Sequence, residues 1–192
     1  MSLRICLVAA LAAVFSIDGW AQPIERLQRS RYRQESLAPF VPSPQVVVEK
    51  MVEAAGLKAG ETLYDLGCGD GRIPITAARE FKIRGVCVEL MPELVARARA
   101  NVRRERLDDR IEVLHANLLE VDLRPADVVT LYLLTSSNET LRPLLEQTLK
   151  PGARVISHDF EVQGWKANRV ERVRASGRDH GIYVYVMPPK KK

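Results

Sequence analysis

Cysteine, histidine and aromatic residues are scarce in this sequence. Among its 192 residues there are three cysteines and three histidines, and Phe, Trp and Tyr together make up 6%. There is no CxxC pair, and His115, His158 and His180 do not have the spacing of metal ligands. We therefore expect no metal ion, and we interpret the histidines as surface residues or as hydrogen-bonded residues of the core.

The cysteines are also too few for a framework of disulfides. One of them, Cys6, lies in the N-terminal segment, which leaves Cys68 and Cys87 in the rest of the chain. These two could pair in an oxidising compartment, but the simpler interpretation is that each is a small buried apolar side chain.

The N-terminal apolar run is too short to cross a bilayer as a helix, which takes about 20 residues. It extends from Ile5 to Ile17 and is followed by small residues at Gly19 and Ala21. This pattern predicts a signal peptide over residues 1–21 and export to the periplasm. The alternative is an uncleaved membrane anchor, because the arginines that follow the run would hold the domain in the cytoplasm.

The rest of the chain predicts one domain in which strands and helices alternate. Residues 22–39 are polar and arginine-rich, as in a linker or a short helix, residues 40–188 form the domain, and residues 189–192 are a basic tail. The run Ala126–Leu134 is almost wholly apolar, which is typical of a strand buried on both faces of a parallel sheet. The order of elements predicts a doubly wound, mostly parallel α/β sheet with an antiparallel C-terminal hairpin.

Two polar residues are expected to begin helices. Ser43 would cap a helix that opens with Pro44, and Asn138 would cap another that runs to Leu149. Trp165 has two open interpretations, since it could line a substrate channel or cap the sheet.

The nonapeptide YDLGCGDGR, residues 64–72, begins in the predicted strand TLYDL, residues 62–66, and carries three glycines in the pattern GxGxG. Such a turn lets the backbone bend closely around a ligand. Asp65 and Asp70 would repel the pyrophosphate that the dinucleotide pattern GxGxxG binds, but either could receive a cationic or ammonium-bearing ligand. Glu89 ends the next strand, where a carboxylate can accept both hydroxyls of a ribose. The combination favours an adenosine-bearing ligand without phosphate.

These residues, with the strings ADVVTLYLL and LKPGARVISHDF, resemble the class I methyltransferases that use S-adenosylmethionine (SAM). FVPSPQVVVEKM and the GDGR of the turn are similar to a narrower family, which includes mitochondrial lysine methyltransferases acting on a membrane protein of ATP synthase, and bacterial relatives. The resemblance implies a seven-stranded Rossmann-like sheet, SAM as the cofactor, and methyl transfer to a nucleophile such as a protein lysine amine.

Particular residues are expected to form the site. Asp159, near the carboxyl end of a central strand, is the first candidate to orient the acceptor amine. The alternatives are the hydroxyl or amide groups of Tyr132, Ser136 and Asn138. By the resemblance, Asn117 follows the third strand where an amide oxygen can accept a hydrogen bond from adenine. The full set expected at the cofactor is Asp65, Gly67, Gly69, Asp70, Gly71, Glu89 and Asn117.

Other functions are weighed against methyl transfer. An NAD-dependent oxidoreductase is disfavoured by the GxGxG spacing and by Asp70. An exported nucleoside-binding protein without catalysis gains support from the leader, because SAM is made in the cytoplasm. The net charge of +5 is scattered along the chain, so we expect no specific binding of nucleic acid. The methyl acceptor is not identified, and a lysine of a membrane protein is one candidate.

Overall fold

A computed structural model describes residues 36–192 of the chain. The predicted signal peptide or anchor over residues 1–21 and most of the predicted linker over residues 22–39 lie outside the described residues. In the part that is described, no helix has the length and apolar character needed to cross a membrane.

Strands and helices alternate through most of the described chain. The helices are α1 (Gln45–Ala55), α2 (Arg72–Glu80), α3 (Pro92–Arg104) and α4 (Thr135–Thr148). The strands are β1 (Thr62–Leu66), β2 (Arg84–Glu89), β3 (Ile111–His115), β4 (Val128–Leu131), β5 (Arg154–His158), β6 (Trp165–Lys166), β7 (Arg169–Ala175), β8 (Arg178–Val186) and β9 (Lys190–Lys191).

Seven strands form one sheet in the order β3-β2-β1-β4-β5-β8-β7. The first five in sequence pair in parallel, whereas β8 is antiparallel to both β5 and β7. The predicted doubly wound sheet with an antiparallel C-terminal hairpin is therefore confirmed. Its strand order reverses between β1 and β4, and sheets of this class bind ligands beyond the carboxyl ends of the strands at such a point.

Burial explains why the central strands read as continuous apolar runs. All four residues of β4 are buried, as are the last four of β1. Alternate side chains of β1 enter different cores: Leu63 packs with α1 and α2, and Tyr64 packs with Leu141 and Leu145 of α4. A strand covered by helices on both faces cannot keep a polar side, so the alternation is lost.

Two predicted helix caps are wrong. Pro44 occupies the position before α1, and the Ser43 hydroxyl instead hydrogen-bonds Nδ1 of His158 at 3.1 Å. The helix α4 begins at Thr135, so Asn138 lies inside its first turn and is fully buried. The predicted strand Ala126–Leu134 is correspondingly shorter, because β4 ends at Leu131.

Cys68 and Cys87 are joined by a disulfide, with their Cα atoms 5.3 Å apart. The interpretation of both residues as buried is correct, but that of two free thiols is not. The parallel pairing of β1 with β2 places Asp65 opposite Cys87, so the turn that follows β1 brings Cys68 next to its partner. The disulfide thus ties the glycine turn to the neighbouring strand.

The C-terminal residues contribute to a second, two-stranded sheet. Trp165 pairs with Lys191 and Lys166 with Lys190, so part of the segment interpreted as a basic tail is a strand. Trp165 itself is fully buried, and its indole Nε1 donates a hydrogen bond to Glu146 at 2.6 Å. Its ring packs edge-on against Tyr185, with the centroids 5.4 Å apart. Trp165 therefore covers the sheet as a residue of the core.

We expect Trp165→Phe to lower the free energy of unfolding by about 2 kcal/mol, because it removes a buried hydrogen bond and leaves a void beside Tyr185. Urea denaturation followed by circular dichroism measures this change. Lys191→Ala is the matched control, since it removes an exposed partner of the same Glu146 carboxylate and should cost less than about 0.5 kcal/mol. Equal stability of Trp165→Phe and the wild type would contradict this assignment.

Candidate functional site

The glycine turn lies at the carboxyl end of β1, where the sheet reverses its order. Gly67, Gly69 and Gly71 have φ values of 79°, 59° and 79°, in the left-handed region that side chains disfavour. The amide groups of Gly67 and Cys68 both donate to the carbonyl of Val88, at 2.9 and 3.0 Å. The three predicted glycines therefore form one tight turn that is held against β2.

Glu89 holds this turn through its carboxylate. One oxygen accepts a hydrogen bond from the Gly69 amide at 2.9 Å, and the other accepts from the amides of Leu90 and Met91 at 2.8 and 2.9 Å. The side chain is buried, so these donors replace water around the charge. Each carboxylate oxygen can accept more than one hydrogen bond, which leaves capacity for a ligand hydroxyl.

Asp65 lies beneath the turn and is 2% exposed. Its Oδ1 accepts a hydrogen bond from the Thr130 hydroxyl at 2.7 Å, whereas Oδ2 has no partner among residues 36–192. Burial raises the pKa of Asp65 to about 7, and the charges of Glu89 and Asp70 act in the same direction, against the hydrogen bond from Thr130. A buried carboxylate oxygen without a partner can accept a cationic or hydrogen-bond-donating ligand.

Asp70 is placed differently from Asp65. Its carboxylate forms a two-point ion pair with Arg72, at 2.9 and 2.6 Å. Burial alone would raise the pKa of Asp70, but the hydrogen bonds and charge of Arg72 outweigh it and lower the pKa. Asp70 therefore shapes the turn together with Arg72, and its charge is already neutralised.

Asn117 lies just after β3, at the same edge of the sheet as Glu89. Its side-chain oxygen accepts a hydrogen bond from the Leu119 amide at 3.0 Å, which fixes the direction of the side chain. The oxygen retains a second lone pair for a donor such as an exocyclic amine.

A segment that we call the strap, residues 36–44, runs over these turns. The Phe40 ring covers Gly69 so closely that a Cβ atom there would collide with it, and the Arg97 guanidinium lies over the same ring, 5.8 Å from its centroid. The Ser137 hydroxyl donates to the Leu37 carbonyl. The sequence predicted only a linker or short helix before residue 40 and a helix cap at Ser43, because the contacts of the strap join residues that are distant in sequence.

A second polar cluster lies at the end of β5 and the start of β8. Nε2 of His158 lies 2.8 Å from Nδ1 of His180, and Oδ2 of Asp159 is within 3.3 Å of both nitrogens. The Tyr132 ring stacks on His158, with the centroids 3.8 Å apart, and Arg178 pairs with Asp159 at 2.6 Å. The structure therefore brings together two predicted residues, Asp159 and Tyr132, with histidines that the sequence did not link to them.

Charge and burial differ among the members of this cluster. Burial lowers the pKa of His158 to about 4, despite the nearby charge of Asp159, so its imidazole is neutral at physiological pH. Burial also acts to raise the pKa of Asp159, but hydrogen bonds from Arg178 and the Gly181 amide outweigh it and lower the pKa. Asp159 is thus an ionised carboxylate with both oxygens already hydrogen-bonded.

Asn138 contacts the turn that follows β5. Its amide nitrogen donates to the carbonyl of Phe160 at 3.1 Å, which fixes the turn that follows β5. Its side-chain oxygen is buried without a partner in the described part of the chain.

Ser43 of the strap connects the glycine turn to the histidine cluster. Its carbonyl accepts a hydrogen bond from Arg72 at 2.6 Å, and its hydroxyl contacts His158.

Comparison with known proteins identifies the family of this arrangement. The family model described as the ANTKMT methyltransferase domain matches residues 65–169. A protein-lysine N-methyltransferase of Saccharolobus islandicus is 45% identical over 78% of this chain and 93% of its own length. A human lysine N-methyltransferase that is named for a component of ATP synthase is 31% identical over 69% of this chain and 56% of its own length.

A solved structure of similar sequence supports the cofactor. The RNA methyltransferase from Salinibacter ruber in complex with S-adenosyl-L-homocysteine superposes with a TM-score of 0.72. The two sequences are 44% identical, and the superposition includes 77% of this chain and 94% of that structure. S-adenosyl-L-homocysteine is what SAM becomes once its methyl group has been transferred. The chain therefore belongs to the ANTKMT methyltransferase family and is a SAM-dependent methyltransferase.

Proposed function

We propose that this enzyme methylates the side-chain amine of a lysine in a protein. The observation that carries the proposal is its 45% identity, over most of both chains, to the protein-lysine N-methyltransferase of Saccharolobus islandicus. The human relative is also named a lysine N-methyltransferase. The Salinibacter ruber protein is described as an RNA methyltransferase, so RNA is the alternative acceptor that an experiment has to distinguish.

The residues in the glycine turn and at the ends of the neighbouring strands fit SAM. Glu89 has capacity for a ribose hydroxyl, Asn117 for the adenine amine, and the unpartnered Oδ2 of Asp65 for a positively charged part of the cofactor. Gly67 and Gly69 have positive φ values, which let the backbone of the turn bend closely around a ligand. When bound, SAM supplies an activated methyl group on a sulfonium centre, so the protein mainly has to align the acceptor and exclude water.

The acceptor side of the site has to favour a neutral amine. A lysine amine has an unperturbed pKa of about 10.4, and apolar surroundings lower it, which releases the lone pair for attack. We propose that Tyr132, held by stacking on His158, orients this amine. Asp159 would act as a positioning residue that holds Arg178, since both its oxygens are engaged, and Asn138 would offer its unpartnered oxygen as a further acceptor.

The location of the enzyme and of its acceptor are further proposals. We propose export of the domain through residues 1–21, and the disulfide between Cys68 and Cys87 supports this, because disulfides persist in oxidising compartments. In the alternative, residues 1–21 anchor a cytoplasmic domain where SAM is abundant. A lysine of a membrane protein is the acceptor we favour, on the resemblance to the family of the human enzyme.

The direct test supplies the purified enzyme with methyl-labelled SAM and separated membrane and soluble fractions of bacterial cells. We expect label in protease-sensitive material that yields methyl-lysine on acid hydrolysis, and we expect most of it in the membrane fraction. Glu89→Ala serves as the inactive control. Label that is sensitive to nuclease would contradict the lysine acceptor and support RNA. Absence of label from both protein and RNA would contradict the proposal as a whole.

Glu89→Ala should weaken SAM binding by about 1–3 kcal/mol, because hydrogen bonds to the ribose and to the Gly69 amide are both lost. Isothermal titration calorimetry measures the affinity, and circular dichroism checks that the variant is folded. Glu93→Ala on the exposed side of α3 is the matched control and should bind as the wild type does. An unchanged affinity in Glu89→Ala would remove Glu89 from the cofactor site.

Asp65 should make the stability of the ligand-free enzyme depend on pH. Its pKa is about 7 when folded and near 3.8 otherwise, so the folded state retains a proton that the unfolded state has lost. The stability that this proton contributes is fully present below the unfolded pKa and is lost as pH rises through about 7. Relative to the wild type, Asp65→Asn should therefore gain about 2 kcal/mol between pH 5.5 and 7.5.

Urea denaturation of both proteins at several pH values measures this difference. Asp122→Asn is a suitable control, because that carboxyl is exposed and its pKa is lowered to about 2 by hydrogen bonds from Arg124, so it does not titrate in this range. Parallel stability curves for Asp65→Asn and the wild type would show that Asp65 is ionised throughout.

A further inference from the structure

We propose that His158, Asp159 and His180 form a binding site for a divalent transition metal ion. The proposal goes beyond methyl transfer and does not depend on the identity of the acceptor. These residues come from the end of β5 and the start of β8, which pair antiparallel. Their potential ligand atoms all lie within 4.8 Å of one another.

The distances among the three atoms are close to those of a metal site. Nε2 of His158 and Nδ1 of His180 are 2.8 Å apart, and Oδ2 of Asp159 lies 3.3 and 3.1 Å from them. Ligands held about 2.1 Å from a tetrahedral zinc ion lie about 3.4 Å from each other. Small side-chain shifts would therefore open the triangle enough for the ion, and a fourth position remains for water.

The surroundings already orient two of the ligands. When Nδ1 of His158 donates a hydrogen bond to the Ser43 hydroxyl, 3.1 Å away, Nε2 directs its lone pair toward His180 and Asp159. Histidine ligands of metals are commonly fixed by such an outer hydrogen bond. The Gly181 amide holds the other oxygen of Asp159 at 2.9 Å.

The backbone at Asp159 supports a built site. Asp159 has a φ of 58°, in the left-handed region that costs a non-glycine residue about 1 kcal/mol or more. This conformation directs the carboxylate between two imidazoles that are 0% and 2% exposed. An aspartate held in a strained conformation between two buried histidines is a reason to look for a ligand there.

The donor set indicates the class of metal. Two imidazoles and one carboxylate suit zinc, iron(II), cobalt(II) or nickel(II), whereas calcium and magnesium prefer oxygen ligands alone. Arg178 opposes the ion, because its guanidinium lies 2.6 Å from the same oxygen of Asp159. Its side chain is about half exposed, so it can move away from Oδ2 when the ion enters.

The test titrates zinc into the untagged, chelator-treated full chain and follows binding by isothermal titration calorimetry and bound metal by elemental analysis. We expect one ion per chain. Cobalt(II) as a second probe should give the visible absorption of a tetrahedral site. The chain contains three histidines in all, so His115→Ala, outside the cluster, is a matched control that should keep the affinity.

Substitutions in the cluster should change the affinity in opposite directions. His180→Ala and Asp159→Asn should weaken zinc binding by at least about 100-fold, and Ser43→Ala, which removes only the outer hydrogen bond, by about 10-fold. Arg178→Gln should tighten binding, because it removes a competing cation from Asp159. Because Arg178 is exposed, Arg178→Gln should fold even if the buried variants do not, and its zinc affinity still tests the site.

Two results would overturn the proposal. One is the absence of stoichiometric zinc binding by both the wild type and Arg178→Gln, which would leave the cluster as a hydrogen-bonded network. The other is binding that survives His180→Ala and Asp159→Asn unchanged, which would place the ion elsewhere in the chain.

Discussion

The buried carboxylate of Glu89 holds together the turns at the carboxyl ends of the central strands. It accepts hydrogen bonds from the amides of two turns, one in the glycine turn after β1 and two in the turn after β2. A buried carboxylate is stable only when its oxygens are satisfied, so the two turns and the charge hold each other in place. The disulfide between Cys68 and Cys87 joins the same two elements covalently.

Around this fixed edge, the site leaves some polar groups unsatisfied. The Oδ2 of Asp65 and the side-chain oxygen of Asn138 are buried without partners among the described residues. Buried polar atoms of this kind cost stability and are concentrated where a ligand completes them. The strap contacts the glycine turn through the Phe40 ring, which covers Gly69, and Ser43 couples it both to Arg72 and to His158.

The fold and the glycine turn were predictable because their signals are local. The strand β1 was predicted with its observed limits, Thr62–Leu66, and the GxGxG spacing predicted the tight turn whose glycines have positive φ values. The caps at Ser43 and Asn138 were wrong, because their side chains bind partners more than a hundred and about twenty residues away in sequence. Local propensity cannot anticipate a distant partner that satisfies the same hydrogen-bonding group.

The alternation of strands and helices, the doubly wound sheet, and the glycine turn with its acidic partner could be predicted from the sequence, since each depends on periodicity and short-range backbone geometry. The meeting of His158 and His180 with Asp159 became apparent in the folded chain, because these residues lie on strands brought together by antiparallel pairing of β5 and β8. The folded chain likewise decided the Cys68–Cys87 bond, through the parallel register of β1 and β2. The residues that meet across strands depend on which strands become neighbours and in which register they pair, and both are properties of the whole sheet and not of one segment.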